Sequence, residues 1–441
     1  MRSTRLRSLL ATASVVLLNA PTQILAADLL EAYQLAISAD PDFQAAKAAA
    51  RAGQELVPLA RSQLLPTVGV SAGYFKNQLD TKTDLTRRFD DYPSKSASVS
   101  LRQPIFRPAA YASLRQASAQ SKGARAVFNK AQNDVAIRVS NAYFLIALAD
   151  DQLASFLSQQ AYAAAQVRAA QAAMRAGQGT RIDVDDTQAR FDLIAARVLG
   201  AREQAAEARN ALEALINVDV SEVRPIDPQR LQLQPVGPQD LTDWIAEAEA
   251  QSPDLEALKS QVLAARWEVK RSASTFLPTA DLVIQKSLSE SDNIVNPNAR
   301  YVNGQIGVQL SMPIYTGGYN SAKVRQSRAS LRELEARYEG ARRKLTLQVE
   351  REFNAIGQAI LKVDALEQAS RSAEQALISN QKGFIAGTRS QLDILDAEEK
   401  RANVRLELTR ERVGYIMARM RLLALAGQLG EEEISRVNAW L

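Results

Sequence analysis

The sequence predicts a mainly helical chain with a β component, in which long coiled-coil helices build a tube and four strands contribute to a β-barrel. Three observations carry this expectation. The chain states one plan twice, at an offset near 210 residues. Each half holds two runs of alternating apolar and small or polar residues, as half-buried or lipid-facing strands require. The rest carries heptad spacing over stretches too long for an ordinary soluble domain.

The duplication is read from landmarks in identical order. Asp40-Pro41-Asp42 recurs as Ser252-Pro253-Asp254, and Leu64-Leu65-Pro66 as Phe276-Leu277-Pro278. Gln103-Pro104-Ile105-Phe106 recurs as Met312-Pro313-Ile314-Tyr315. Ala176-Gly177 with Asp183 and Asp186 recurs as Ala386-Gly387 with Asp393 and Asp396. The chain therefore divides into a first repeat over 28–216 and a second over 240–427. A proline-rich linker covers 217–239, and a tail covers 428–441.

Each repeat opens with an amphipathic helical region, over about 29–64 and 241–276. Strands follow at about 67–79 and 95–104, and at about 279–289 and 301–312. In the first, Val68, Val70, Ala72 and Tyr74 share one face, opposite Thr67, Gly69, Ser71 and Gly73. In the last, Val302, Ile306, Val308, Leu310 and Met312 oppose Asn303, Gln305, Gly307, Gln309 and Ser311. Pro66, Pro104, Pro278 and Pro313 fall where strands meet helices, where a missing N–H does least harm.

A helical hairpin completes each repeat, with turns near 177–181 and 387–390. Val139, Ala142, Ile146, Ala149, Leu153 and Phe156 step by three and four, and Val184, Phe191, Val198, Ala205 and Leu212 by seven. A continuous helix over 107–175 would be on the order of 100 Å long, a length suited to bridging a compartment.

Composition narrows the chemistry. The chain has no cysteine and no histidine. That excludes thiolate nucleophiles, Cys/His zinc sites, histidine bases and a cysteine-borne lipid anchor. No cofactor, metal or enzymatic activity is expected. Residues 1–27 read as a signal peptide, with Arg2, Arg5 and Arg7 before a short apolar run and small residues at Ala26 and Ala27. Its loss takes the formal charge from +5 to 5 − 3 = +2, which removes the case for a nucleic-acid partner. Glu431-Glu432-Glu433 reads as a solvated tail rather than a metal site, and the Arg/Glu-rich stretch 325–351 as a charge-laced helix face.

Four strands are too few to close a barrel, and open edges are not tolerated in lipid. The strands must therefore close with other copies; two would supply eight strands and three would supply twelve.

The duplicated plan, Met312-Pro313-Ile314-Tyr315-Thr316-Gly317-Gly318, the turn Ala386-Gly387-Thr388-Arg389 and the following Leu392-Asp393-Ile394-Leu395-Asp396-Ala397 resemble the TolC family over nearly the whole mature chain. The resemblance implies a homotrimer with a twelve-stranded outer-membrane barrel and a periplasmic helical tunnel. It implies an export channel working with a periplasmic adaptor (membrane fusion) protein and an inner-membrane ABC or proton-driven transporter. The missing lipidation cysteine favours the type I secretion branch. The resemblance also places a gate at the hairpin tips. Arg389 would be a tie, with Asp183 and Gln166 as acceptors, and Asp393 and Asp396 would form inward carboxylate rings. Phe384 and Ile182 stand where the family's best-known pattern has a tyrosine and a threonine.

From the residues alone, Gly177 and Gly387 are helix-ending glycines, Thr388 or Ser390 can cap the helix after Gly387, and Ser390 with Asp393 fits a capping box with aspartate in place of glutamate. On that reading the aspartates only offset the helix dipole. The rival for the whole chain is a periplasmic coiled-coil or adaptor protein without a pore.

Overall fold

The computed structural model describes residues 28–237, 240–292 and 298–441. The signal-peptide expectation for residues 1–27 lies outside them. Among the described residues no helix is long and apolar enough to cross a membrane.

Three short helices open the first repeat: α1 (Leu29–Ala39), α2 (Pro41–Gln54) and α3 (Leu56–Ser62). Asp40 caps α2 through Asp42 N–H at 3.0 Å, and Pro41 takes the first helical position, where an amide hydrogen has no use. Strands β1 (Thr67–Lys82) and β2 (Arg87–Phe106) follow, then the hairpin α4 (Pro108–Arg175) and α5 (Arg181–Ile216). The second repeat runs α6 (Leu241–Gln251), α7 (Pro253–Ala273), β3 (Thr279–Ser291), β4 (Ala299–Ser311), α8 (Tyr319–Ile385) and α9 (Gln391–Leu425). A final helix, α10 (Glu431–Asn438), closes the chain. Helix α4, 68 residues long, extends for about 100 Å.

The strands form one antiparallel sheet in the order β1-β2-β3-β4. Its register lines up an apolar face: Val68 opposes Leu101, Leu101 opposes Ile284, and Ile284 opposes Ile306. One residue along, Ser71, Ser98, Ser287 and Asn303 line up on the other face after a two-residue step. On β4 the apolar residues run from Leu310 to Val302, about 27 Å of strand, which matches the lipid-facing band of a barrel. The row Tyr74, Lys95, Glu290 and Arg300 ends that band with charge. Lys286 interrupts it opposite Gly304, where open space lets the charged end run toward the band's edge.

β1 and β2 run further than their alternation suggests. From Lys76 to Lys82, β1 and β2 form a two-stranded ribbon, because pairing of β2 with β3 begins only at Ser94. Pro93, with no amide hydrogen for a third strand, stands at this point. The protruding ribbon is braced by Arg87, which donates to Asp80 at 2.7 Å and lies over the Phe89 ring.

The main core lies at mid-height, where α1, α6, α10 and the linker wrap the hairpins. Tyr143 and Tyr415 are fully buried and pin the linker. Tyr143 Oη accepts from Arg224 N–H at 2.9 Å, and Tyr415 Oη accepts from Gln234 N–H at 3.1 Å. Burial raises the Tyr143 hydroxyl above the usual tyrosine range. Gly237 has φ +59°, and its missing side chain leaves room for the Trp244 ring, whose Nε1 donates to Val236 O at 3.2 Å.

One sequence expectation is corrected here. Residues 431–438 are not a solvated tail but helix α10. Glu433 is 5% exposed, accepts from Arg419 Nε, and lies 2.6 Å from Arg436 Nη1. The cause is a partner 14 residues away in sequence, which the run of glutamates does not reveal.

Candidate gate at the helical tips

Both hairpins end in the same local structure. Gly177 (φ +72°) and Gly387 (φ +74°) adopt the left-handed conformation that stops a helix and favours glycine. Gly177 N–H donates to Met174 O at 3.1 Å and Gln178 N–H to Ala173 O at 2.9 Å, a Schellman closure. Gly387 and Thr388 repeat it on Phe384 O and Gly383 O.

The next helix starts with a reciprocal cap at each tip. Thr180 N–H and Oγ1 donate to Asp183 Oδ2 at 2.9 and 2.7 Å, and Asp183 N–H returns a bond to Thr180 Oγ1 at 3.2 Å. Ser390 and Asp393 do the same at 2.8, 2.8 and 3.2 Å. The shorter aspartate thus completes the box usually built on glutamate. Thr388 does not cap α9; its Oγ1 donates backward to Gly383 O at 3.1 Å.

These bonds hold both carboxyls below the usual carboxylate range. The Thr180 hydroxyl leads at Asp183, and the Ser390 amide leads at Asp393. A carboxyl with a lowered folded pKa stabilises above its unfolded value, near 4 for aspartate, and the contribution fades as pH falls through the folded pKa. Hydrogen exchange at the tips should therefore accelerate below about pH 4 relative to the mid-height core, and Asp183→Ala together with Asp393→Ala should abolish that difference. Tips indifferent to acid would contradict the capping role.

Arg389 begins from Gly383. Its stem lies where a side chain at Gly383 would sit, 2.7 Å from Cγ, so only glycine leaves room for it. Its side chain is 58% exposed, and Asp393 at 3.9 Å is too far for a hydrogen bond. Within one protomer no ion pair or hydrogen bond joins Arg389 to Asp183 or Gln166 among the described residues. Gln166 is buried on α4, and Phe384 is exposed at the end of α8.

The structure adds two residues that spacing did not single out. Arg190 on α5 lies 3.5 Å from Asp186 on its own helix and 3.5 Å from Asp396 on α9. Arg197, seven residues on, donates to Glu399 of α9 at 3.2 Å. The signal available was weak: an acid four residues before Arg190 on one helix face, a common surface pattern. Asp396 is thus engaged across the hairpins, while Asp393 caps its own helix.

Two long helical hairpins, each preceded by two barrel-type strands, define an outer-membrane channel protein with a periplasmic helical tunnel. The family model described as "Outer membrane efflux protein" matches residues 32–218 and 244–428. The chain belongs to the outer membrane efflux protein family. It is 32% identical to the alkaline protease secretion protein AprF of Pseudomonas aeruginosa, over 93% of this chain and 86% of that one. It is 29% identical to outer membrane protein TolC of Vibrio cholerae, over 94% of each chain. The fold is shared with the Campylobacter jejuni CmeC outer membrane channel, at a TM-score of 0.79 and 15% identity over 92% and 89% of the two chains. The protein is an export channel of the outer membrane.

Proposed function

We propose that three copies form one duct for protein cargo, shut at its periplasmic end by the hairpin tips. Each copy presents two sheet edges, β1 and β4, so three copies supply twelve strands and leave no edge in lipid. AprF and the protease secretion protein PrtF of Dickeya chrysanthemi are both named for protease secretion, which supports protein cargo and the type I secretion branch. In this arrangement a periplasmic adaptor untwists the tips, and an inner-membrane transporter selects and drives the cargo.

The observation that carries the gate is the pairing left open at each tip. Arg389 has a largely exposed side chain and, among the described residues of its own protomer, only the long 3.9 Å contact with Asp393. Both bonds to the Asp183 carboxylate fall on Oδ2, which leaves Oδ1 for a neighbouring copy's Arg389. A charge-assisted bond of this kind is directional and removable, as a gate requires. Asp183 is the more accessible acceptor, since Gln166 is buried.

Single-channel conductance of the detergent-purified protein in a planar bilayer tests this, with Arg389→Ser beside the wild type. The variant should spend more time open and show larger steps. Equal conductance would remove Arg389 as a tie and keep the duct. Absence of conductance from folded protein would return the coiled-coil reading.

A further inference from the structure

The carboxylates at the tips are almost all spoken for. Asp183 and Asp393 cap their helices. Asp185 lies 3.8 Å from Arg181, and Glu399 holds Arg197. Glu398 is buried, with Oε1 accepting from Arg401 Nη2 at 2.6 Å. Among the described residues of the tips, Arg190 alone serves two carboxylates on different hairpins, Asp186 of α5 and Asp396 of α9. Both of its contacts, at 3.5 Å, are ion pairs rather than well-formed hydrogen bonds, so its role is electrostatic before it is directional.

Its setting adds weight to that charge. Arg190 lines a pocket between α4, α5 and α9 together with Gln159, Leu193, Leu395, Asp396 and Glu398. The second oxygen of Glu398, Oε2, is buried there without a hydrogen-bond partner. An unpartnered carboxylate oxygen in a low-dielectric wall projects negative potential. Arg190 and Arg197 are the cations that line that pocket, while Arg401 holds the other oxygen of Glu398.

We propose that Arg190 sets the ion selectivity of the tip, by masking Asp186 and Asp396 and by linking the two hairpins of each protomer. This rests on the duct reading above. With Arg190 in place the tip's preference for cations rests on its other carboxylates, Asp183 and Asp393 among them, which cap their helices and keep their charge. Without it, two carboxylates on different hairpins are uncovered in every copy, and a ring of bare carboxylates favours cations.

The test is the reversal potential of single channels in a KCl gradient. Arg190→Gln should raise the potassium-over-chloride permeability ratio by roughly an order of magnitude, since one charge unmasked at about 5 Å in a water-like medium favours potassium about fourfold and disfavours chloride about fourfold. Arg190→Lys keeps the charge and should stay near the wild type, and adding Asp396→Asn to Arg190→Gln should reverse much of the gain. A purely structural role would alter conductance in the glutamine and lysine variants alike and leave the ratio unchanged. Normal channels with an unchanged ratio in Arg190→Gln overturn the proposal while the duct stands. A folded wild type without channels overturns both.

Discussion

Glu433→Ala is expected to destabilise the protein by about 3–5 kcal/mol, the cost of leaving a buried charge without its partner. The Arg419 side chain is only 10% exposed, and among the described residues Glu433 is its one carboxylate partner. The Arg419 guanidinium also lies over the Trp440 ring, which itself packs near Tyr415. Trp440 O accepts from Asp227 N–H at 2.9 Å, so loosening α10 loosens the linker as well. Arg436 is half-exposed and turns to water at little cost; Arg419 does not have that choice. Thermal unfolding followed by circular dichroism measures the loss. The double variant Arg419→Met with Glu433→Leu should recover much of it, because an apolar pair of similar size restores packing without a stranded charge. A single variant as stable as the wild type would mean that α10 is only loosely attached.

Ile306→Arg is expected to cost about 2–4 kcal/mol per copy and to suppress recovery of folded protein from the outer membrane. Ile306 lies midway along the apolar residues of β4 between Leu310 and Val302, at the level of the bilayer centre, and is exposed on the protomer. Its neighbour Gln305 points to the opposite face and donates to Gln285 at 3.1 Å. Gln305→Arg should therefore be tolerated, since the lumen is polar and wet. Denaturant titration of the detergent-extracted protein compares the two. Equal tolerance at both positions would mean that the apolar face does not meet lipid. The contrast is sharp because a step of one residue along a strand exchanges its faces.

How much of this was legible without a structure depends on the range of the interaction. The strand faces are carried by alternation, and alternation survives folding because the pleat enforces it. The rows from Val68 to Ile306 and from Ser71 to Asn303 follow from it once the sheet is in register. The turns at Gly177 and Gly387 are equally local. A left-handed residue, a cap and an aspartate three positions later act within one helical turn, so Ser390 with Asp393 could be read directly. Thr180 with Asp183 obeys the same rule.

The sequence by itself determined the duplication, the face of each strand, the seams of the long helices and the chemistry of the turns, because each depends on neighbours a few positions away. The tertiary structure decided which distant groups meet. It placed Arg190 against Asp396 and Arg197 against Glu399, set Tyr143 and Tyr415 on the linker, folded α10 onto Arg419, and carried β1 and β2 past the end of β3. Such pairings depend on how helices lie side by side, and an arginine on a helix face looks the same in sequence whether it meets water or a carboxylate from the other hairpin.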